Sequence, residues 1–288
     1  MLVAPFESLA CPIDSLKLTQ SNNQLLCPNN HSFDIARQRY VNLLPIQDKR
    51  SRHPGDSKEM IDARRRFLNT GIYEPICEKV NALALQRVLE TPEHCNIVDA
   101  GCGEGYYLQQ LYNAAQASQS ATNVSFLGVD ISKPAIVGAT QRERNNITWA
   151  VGTNRKLPVV ESTTDVLLCM FGFPVFDAFK QCLKPSGAML LVESGPAHLI
   201  ELRELIYDEV KISDLPSHEK ASQLGFQLYA EDSLTTKSEP MSAACIQDLL
   251  VMTPHFFKVK PEKRELIAQL PELTVTIDVR FRLYTLTK

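Results

Sequence analysis

Val98-Asp99-Ala100-Gly101-Cys102-Gly103-Glu104-Gly105 closes an apolar run with a glycine-rich turn and opens a helix expected to run from Glu104 to about Ala117. Ile97 and Val98 suit the end of a buried parallel strand. Gly101, Gly103 and Gly105 remove every Cβ where a ligand would have to approach backbone, and the helix points its N-terminus into the same space. A pyrophosphate site usually spaces its glycines Gly-x-Gly-x-x-Gly. Here the spacing is Gly-x-Gly-x-Gly, with Asp99 before it and Glu104 inside it. Those carboxylates repel a diphosphate and attract an ammonium and a sulfonium. The turn therefore reads as a cradle for S-adenosyl-L-methionine. The following strand, Val124 to Asp130, ends in an acid placed to accept ribose hydroxyls. The plain alternative is a glycine turn that only packs helix on strand, and Asp130 argues against it.

Outward from this turn the pattern alternates helix and strand. Glu74 to Leu89 is amphipathic. Asn96 to Ala100, Val124 to Asp130, Ile147 to Gly152, Asp165 to Phe171 and Ala188 to Glu193 are strand-like. The order predicts a doubly wound, mostly parallel α/β sheet. Lys184-Pro185-Ser186-Gly187 reads as a tight turn delivering the fifth strand. Beyond it come a helix over Ala197 to Val210, a strand near Phe226 to Ala230, a helix over Ser242 to Met252 and an alternating run from Thr274 to Leu286. Val275 to Leu283 is the clearest period-two strand, expected at an edge or in a hairpin.

The 288 residues suffice for one large domain plus a small module. We expect a module over 1–35, a basic linker and helix over 36–72, and the large domain over 73–288. A net charge of −3 and a pI near 6.1 exclude a global basic field, so any nucleic-acid contact must be local. The cysteines at 95, 102, 169 and 182 sit among apolar or turn positions, as reduced thiols do. Met1 to Ser15 has no basic leader region, and no apolar run reaches about 18 residues. The expectation is a soluble cytoplasmic protein without a membrane span.

Within the first 35 residues, Cys11, Asp14, Cys27 and His31 have the spacing of a zinc knuckle or ribbon, in which two turn-borne pairs converge on a tetrahedral ion. Asp14 can ligate through oxygen, though less tightly than a thiolate. The segment has only Leu16, Leu18, Leu25, Leu26 and Phe33 to bury, so it needs a metal or a docking surface. A metal-free remnant module is the alternative. Between 36 and 66 there are nine Arg or Lys against four Asp or Glu, a local balance of +5. Lys49, Arg50, Arg52, Arg64, Arg65 and Arg66 are candidate RNA contacts; equally, Ser57 caps a helix whose arginines could form a solvated face.

Cys169-Met170-Phe171-Gly172-Phe173-Pro174 follows the fourth strand at the carboxyl end of the sheet. It lacks the Asn/Asp-Pro-Pro-aromatic run of exocyclic-amine methyltransferases and the Pro-Cys of cytosine-C5 enzymes. Cys169 reads as a buried strand thiol. Phe171 and Phe173 could stack a flipped base or pack in the core. His198, just after the fifth strand, is either a ligand contact or a helix-start residue.

At this point the sequence resembles a known family. His31-Ser32-Phe33-Asp34, Tyr40-Val41-Asn42-Leu43-Leu44-Pro45, Lys49-Arg50-Ser51-Arg52, Pro54-Gly55-Asp56-Ser57, Met60, Ala63-Arg64-Arg65 and Phe67-Leu68, with the turn Gly101 to Tyr107, are similar to the RlmA type of large-subunit rRNA (guanine-N1)-methyltransferases. The resemblance covers essentially the whole chain. It implies a class I S-adenosylmethionine-dependent methyltransferase fold with an antiparallel C-terminal strand, preceded by a zinc module that engages rRNA. It further implies methyl transfer to N1 of one 23S rRNA hairpin guanine, of the guanine-745 type, by a homodimer. Cofactor contacts carry over to Tyr73, Gly103, Glu104 and their turn neighbours Asp99, Gly101, Gly105 and Tyr106, and to His198; zinc ligands carry over to Cys11, Cys27 and His31. Asp14 stands where the family has its second cysteine. The loop after the third strand also matches the family; Asn154 could face the adenine there, and Leu157 is a further cofactor-binding candidate. No residue marks itself as the base that takes the N1 proton, so the catalytic residue is left unassigned. Two rival readings remain open: a small-molecule methyltransferase, which has no need of the module or the basic stretch, and an rRNA-binding assembly factor without activity, which an intact turn disfavours.

Overall fold

Two short strands at the front of the chain are used far from where they are made. The computed structural model describes all residues except 46, 48–53, 92–93, 119–121, 213–214 and 287–288. β1 (Leu2–Val3) pairs beside Asn123 and Val124, and β2 (Thr19–Ser21), β3 (Gln24–Leu26) and β4 (Ser32–Asp34) form a separate antiparallel ribbon. β5 (Tyr40–Asn42) leaves the ribbon and joins the large sheet opposite Trp149 to Val151. Of the expected ribbon core, Leu18 and Leu25 are buried, whereas Leu16 is exposed.

Two helices follow. α1 (Lys58–Leu68) starts where Ser57 Oγ accepts the Met60 N–H and buries Met60, Ile61, Phe67 and Leu68; α2 (Glu74–Leu89) buries Ile76, Val80, Ala84 and Val88. The doubly wound core then runs β6 (His94–Ala100), α3 (Tyr106–Ala117), β7 (Asn123–Asp130), α4 (Lys133–Arg142), β8 (Thr148–Val151), β9 (Thr164–Met170), α5 (Phe176–Cys182) and β10 (Leu183–Ser194). After it come α6 (Ile200–Ile206), α7 (Glu219–Gln223), β11 (Phe226–Lys237), β12 (Met241–Ser242), α8 (Ala243–Met252), a 3-10 turn at Pro254–Phe257, α9 (Pro261–Ala268), β13 (Glu272–Leu273) and β14 (Thr276–Leu286). This is a class I methyltransferase fold carrying an N-terminal ribbon.

The large sheet has the order β11-β14-β10-β9-β6-β7-β8-β5, with β1 beside β7. Successive strands step outward from β6 to β7 and β8, and the chain then returns to β9 on the other side of β6. That reversal leaves a crevice at the carboxyl ends of β6 and β9, the place where such sheets bind ligands. Each inner strand is apolar on both faces, and the core is split into two layers: Ile97, Phe126, Trp149 and Leu168 in one, Val98, Leu127, Leu167 and Leu191 in the other.

Four expectations need correction. The run ending at Leu286 is an interior strand, antiparallel to both β10 and β11, rather than an edge or hairpin strand. Alternation tells that a strand has an inner face, not which neighbours flank it. The edge belongs instead to β11, longer than the five residues expected and mostly exposed. Lys184 to Gly187 is a register shift inside β10, not a tight turn. The helix expected from Ala197 shrinks to Ile200–Ile206 because the chain before it is pinned to β14: the Ala197 N–H donates to Asp278 Oδ2 (3.0 Å) and the Leu199 N–H to Thr276 O (2.7 Å). No described helix is long and apolar enough to cross a membrane.

Candidate cofactor and metal sites

The turn after β6 is held open from behind. Gly101, Gly103 and Gly105 all have positive φ (90°, 55° and 82°), and the Gly101 and Cys102 N–H groups both donate to Val129 O (2.8 and 3.0 Å). Gly105 has no room for a side chain: a Cβ there would lie 2.7 Å from Trp149 and 2.9 Å from the Ala139 methyl. Asp130 braces the loop by accepting the Gly103 N–H (2.9 Å) and the Ser132 N–H (2.8 Å). Each of its oxygens retains acceptor capacity, so a ribose hydroxyl can still be received.

Asp99 is the exception to the tight pairing around it. Its carboxylate is buried, and among the described residues neither oxygen has a hydrogen-bond partner. Burial, with a further contribution from the charge of Asp130, pushes its pKa up to about 8. A buried acid without a donor is costly by itself and well matched to an arriving cation. The chemistry of the turn thus fits an amino-acid-bearing adenosyl cofactor. Asn154 Nδ2 donates to Ala100 O (3.2 Å) and lies 3.5 Å from where a Gly101 Cβ would be, and Leu157 is buried beside it in the sequence.

Glu104 behaves differently from the expectation that it would face the ligand. Its carboxylate is buried against the Arg142 guanidinium, with Nη2 to Oε1 at 3.0 Å and a second, shorter bond from Nε. That pair ties the acid into the fold, which leaves Asp99 as the carboxyl at the turn with no partner among the described residues. Tyr106 lies under the same guanidinium, its ring centroid 5.1 Å away.

On the far side of the crevice, Tyr73, Phe171, Tyr107 and His198 form one aromatic wall. Phe171 stacks on His198 at 6.1 Å and lies 6.4 Å from Tyr73 and 6.2 Å from Tyr107. Phe171 itself is in the left-handed region at φ 52°, unusual for a phenylalanine and a place where backbone strain is stored. It is 37% exposed and Phe173 is 92% exposed, which removes core packing as the reason for the second ring. Cys169 is a fully buried strand thiol. The His198 tautomer is fixed by its surroundings. Nδ1 accepts the Asp278 N–H (3.2 Å), so the proton sits on Nε2 and is donated to Tyr73 Oη (3.1 Å). Burial pushes the His198 pKa down to about 4, so the ring is neutral near pH 7 and cannot act as a cation. The Tyr73 hydroxyl, buried and accepting from His198, keeps its own proton to give to a ligand.

In the ribbon, one ligand atom from each of Cys11, Asp14, Cys27 and His31 lies within 4.8 Å of all the others. Cys11 Sγ is 3.5 Å from His31 Nδ1, Asp14 Oδ2 is 3.2 Å from His31 Nδ1, and Cys27 Sγ is 3.1 Å from Asp14 Oδ2. Zinc bond lengths predict separations of about 3.3 to 3.8 Å between tetrahedral N, O and S ligands, close to those found, so the set can hold a zinc ion. Asn29 Nδ2 donates to Asp14 Oδ2 (2.9 Å) and the Asn29 N–H points at Cys27 Sγ (3.4 Å), orienting both from behind.

Comparison with known proteins agrees with both halves. Residues 9–52 match the zinc-ribbon family model described as "RlmA, N-terminal", and residues 92–237 match a methyltransferase-domain model. A protein of Micromonospora griseorubida, provisionally named a 23S rRNA (guanine-N(1)-)-methyltransferase, is 34% identical over 212 residues, covering 67% of this chain and 68% of the relative. The chain belongs to the RlmA-type 23S rRNA (guanine-N1)-methyltransferase family. A Bacillus subtilis relative with the same provisional name is 26% identical, and the 23S rRNA (guanine(748)-N(1))-methyltransferase of Streptomyces fradiae is 27% identical, each over 95% of both chains.

Within this RlmA-type chain each of the three arginines of α1 has a partner elsewhere in the fold. Arg64 pairs with Asp56 (2.6 Å), donates to Met252 O (3.1 Å) and has a guanidinium nitrogen 3.5 Å from where a Gly103 Cβ would be. Arg65 donates to Gln141 Oε1 (2.5 Å), and Arg66 grips the Asp248 carboxylate with two nitrogens (2.6 and 2.9 Å). Their partners lie up to 188 residues away, which local charge counting cannot see. These side chains tie α1 to α4 and α8, and Arg64 roofs the glycine turn. Lys49, Arg50 and Arg52 lie outside the described residues. Sequence reading missed Arg142 and the roofing role of Arg64. It also passed over the segment Pro254 to Arg264, where two phenylalanines among cations were a visible signal.

Proposed function

We propose that this chain uses S-adenosyl-L-methionine to methylate N1 of a single guanine in a hairpin of 23S rRNA. The observation that carries the reading is the buried, partnerless Asp99 carboxylate beside a turn of three left-handed glycines at the sheet's switch point. It asks for the ammonium of an amino-acid cofactor and would repel a diphosphate. Asp130 would take the ribose hydroxyls, Asn154 and Leu157 the adenine, and Gly101, Gly103, Gly105, Glu104 and Tyr106 shape the turn around it. Bound there, the cofactor supplies an electrophilic methyl group on sulfonium.

The chain's own part is to hold the guanine and exclude water. Phe171 offers a half-exposed ring for stacking, with Phe173 beyond it. The Tyr73 hydroxyl, oriented by His198, offers a hydrogen bond to an acceptor in the crevice. N1 of guanine is protonated near neutrality, and neutral His198, with Nδ1 already accepting from backbone, is not positioned to remove that proton. Proton loss to water fits this arrangement.

The rRNA half of the reading is supported by the family and by the ribbon, with zinc held by Cys11, Asp14, Cys27 and His31. A homodimer in the cytoplasm belongs to the same proposal. The target is guanine 745 or a near neighbour; the Streptomyces fradiae relative is named for guanine 748. Mass mapping of 23S rRNA from cells with and without the gene tests reaction and position together. We expect one N1-methylguanosine to vanish; an unchanged map rejects the reading.

A further inference from the structure

The helical insert between β12 and β13 brings phenyl rings and cations to the rim of the crevice. Residues 254–264 carry Lys258, Lys260, Lys263 and Arg264 against Glu262, a balance of +3 in a chain of net −3. Lys260 and Lys263 share Asp208 (3.1 and 2.6 Å). Among the described residues, the exposed Lys258 and Arg264 have no carboxylate within 4.0 Å. Phe257 is 72% exposed, and the neighbouring Phe256 ring lies 4.5 Å under the Arg264 guanidinium.

Two attachments fix this insert to the site. Met252, the last residue of α8, gives its carbonyl to Arg64, which roofs the Gly103 turn. His255 hydrogen-bonds the Tyr207 hydroxyl (2.8 Å), and Arg203, one turn before Tyr207, donates to His198 O (3.4 Å). His198 in turn stacks on Phe171. The insert therefore touches the glycine-turn side through α1 and the aromatic wall through α6.

We propose that Phe257, Lys258 and Arg264 form an RNA-docking platform at the rim, where Phe257 stacks an unpaired nucleotide flanking the target guanine and the two cations meet its phosphates. The proposal rests on the rRNA reading above. A solvated phenyl ring next to unpaired cations is the pattern that holds single-stranded nucleic acid, because every base has a stacking face and every nucleotide a negative charge. A second copy of this chain is a poorer occupant, since a two-fold contact sets the same patch against itself and brings like charges together.

The test uses the full-length protein and a transcribed 23S rRNA hairpin spanning guanines 745 to 748, with binding followed by fluorescence anisotropy across a salt series. Phe257→Ala should weaken hairpin binding by about tenfold while Phe257→Trp retains it. Lys258→Ala should reduce the slope of log affinity against log salt by about 0.7 to 0.9. Cofactor affinity, measured by calorimetry on the same preparations, should not change. Unaltered hairpin binding in both alanine variants overturns the platform. So does a shift from dimer to monomer in sedimentation with RNA affinity intact, which would make the patch a contact between copies. If the wild-type protein binds cofactor but not the hairpin, the rRNA reading itself fails and takes the platform with it.

Discussion

Replacing Asp99 by Asn separates the charge of the cradle from its shape. In the cofactor-free protein the carboxyl has a pKa of about 8, against 3.8 for an ordinary aspartate. Its folded pKa is raised, so its contribution to stability is complete below pH 3.8 and is lost as pH rises toward 8. At about 1.4 kcal/mol per unit, the three units up to pH 7 amount to on the order of 4 kcal/mol of destabilisation. Asn removes that penalty and leaves a buried amide without partners, which costs about 1–3 kcal/mol. Asp99→Asn should therefore raise the stability of the cofactor-free protein at pH 7 by about 1–3 kcal/mol and lose that advantage at pH 4. The same group governs binding. At pH 7 most Asp99 is protonated, so an ammonium arriving beside it should expel close to one proton, visible as a dependence of the calorimetric enthalpy on buffer ionisation. Cofactor affinity should rise toward tenfold per pH unit between pH 6 and 8, and the Asn variant should bind weakly, without proton release. Equal denaturation free-energy differences between the two proteins at pH 4 and 7, together with proton-neutral binding, would refute the reasoning.

Other perturbations read other parts of the site. Glu104→Gln leaves the Arg142 guanidinium buried without its counter-charge and should cost about 3 kcal/mol in urea denaturation, a loss of scaffold and not of cofactor charge. Gly105→Ala meets Trp149 at 2.7 Å in a left-handed conformation and should destabilise by about 3 kcal/mol, checked by thermal and chemical unfolding. Asp14→Cys restores a thiolate to the ribbon and should make zinc harder to strip, so elemental analysis after chelator dialysis should find more metal than in the wild type. Arg66→Ala breaks an exposed pair with Asp248 and should change stability by no more than about 1 kcal/mol while leaving hairpin affinity within twofold.

The parts of the molecule that a reader of the sequence could recover are those set by short-range rules. Glycine spacing and the apolar run before it located the turn and its strand, and the spacing from Cys11 to His31 brought four ligands to one point. Strand alternation found β14 but could not reveal that β11 lies outside it. Charge failed for a related reason. Glu104, Arg65 and Arg66 are all ionic in the sequence, yet each is answered by a side chain on another element, Arg142, Gln141 and Asp248, which a count over residues 36–66 does not include. Asp99 differs because no described residue answers it. Phe257 shows the converse: its neighbours were basic and its exposure could only come from the three-dimensional arrangement.

The placement of β1 and β5 bears on how the chain is assembled. Tyr40 pairs opposite Trp149 and Leu2 opposite Asn123, so these two strands wait for more than a hundred residues before their partners exist. Contacts this distant in sequence close late and slowly. Until then the ribbon hangs on an unanchored segment, with its own small core and ligand cluster to order it, and once β8 forms it stays an open sheet edge until β5 docks. Metal capture by the ribbon would then come before the catalytic sheet is complete, and a protein made without its metal would be most exposed to misassembly along β8, not in the methyltransferase core.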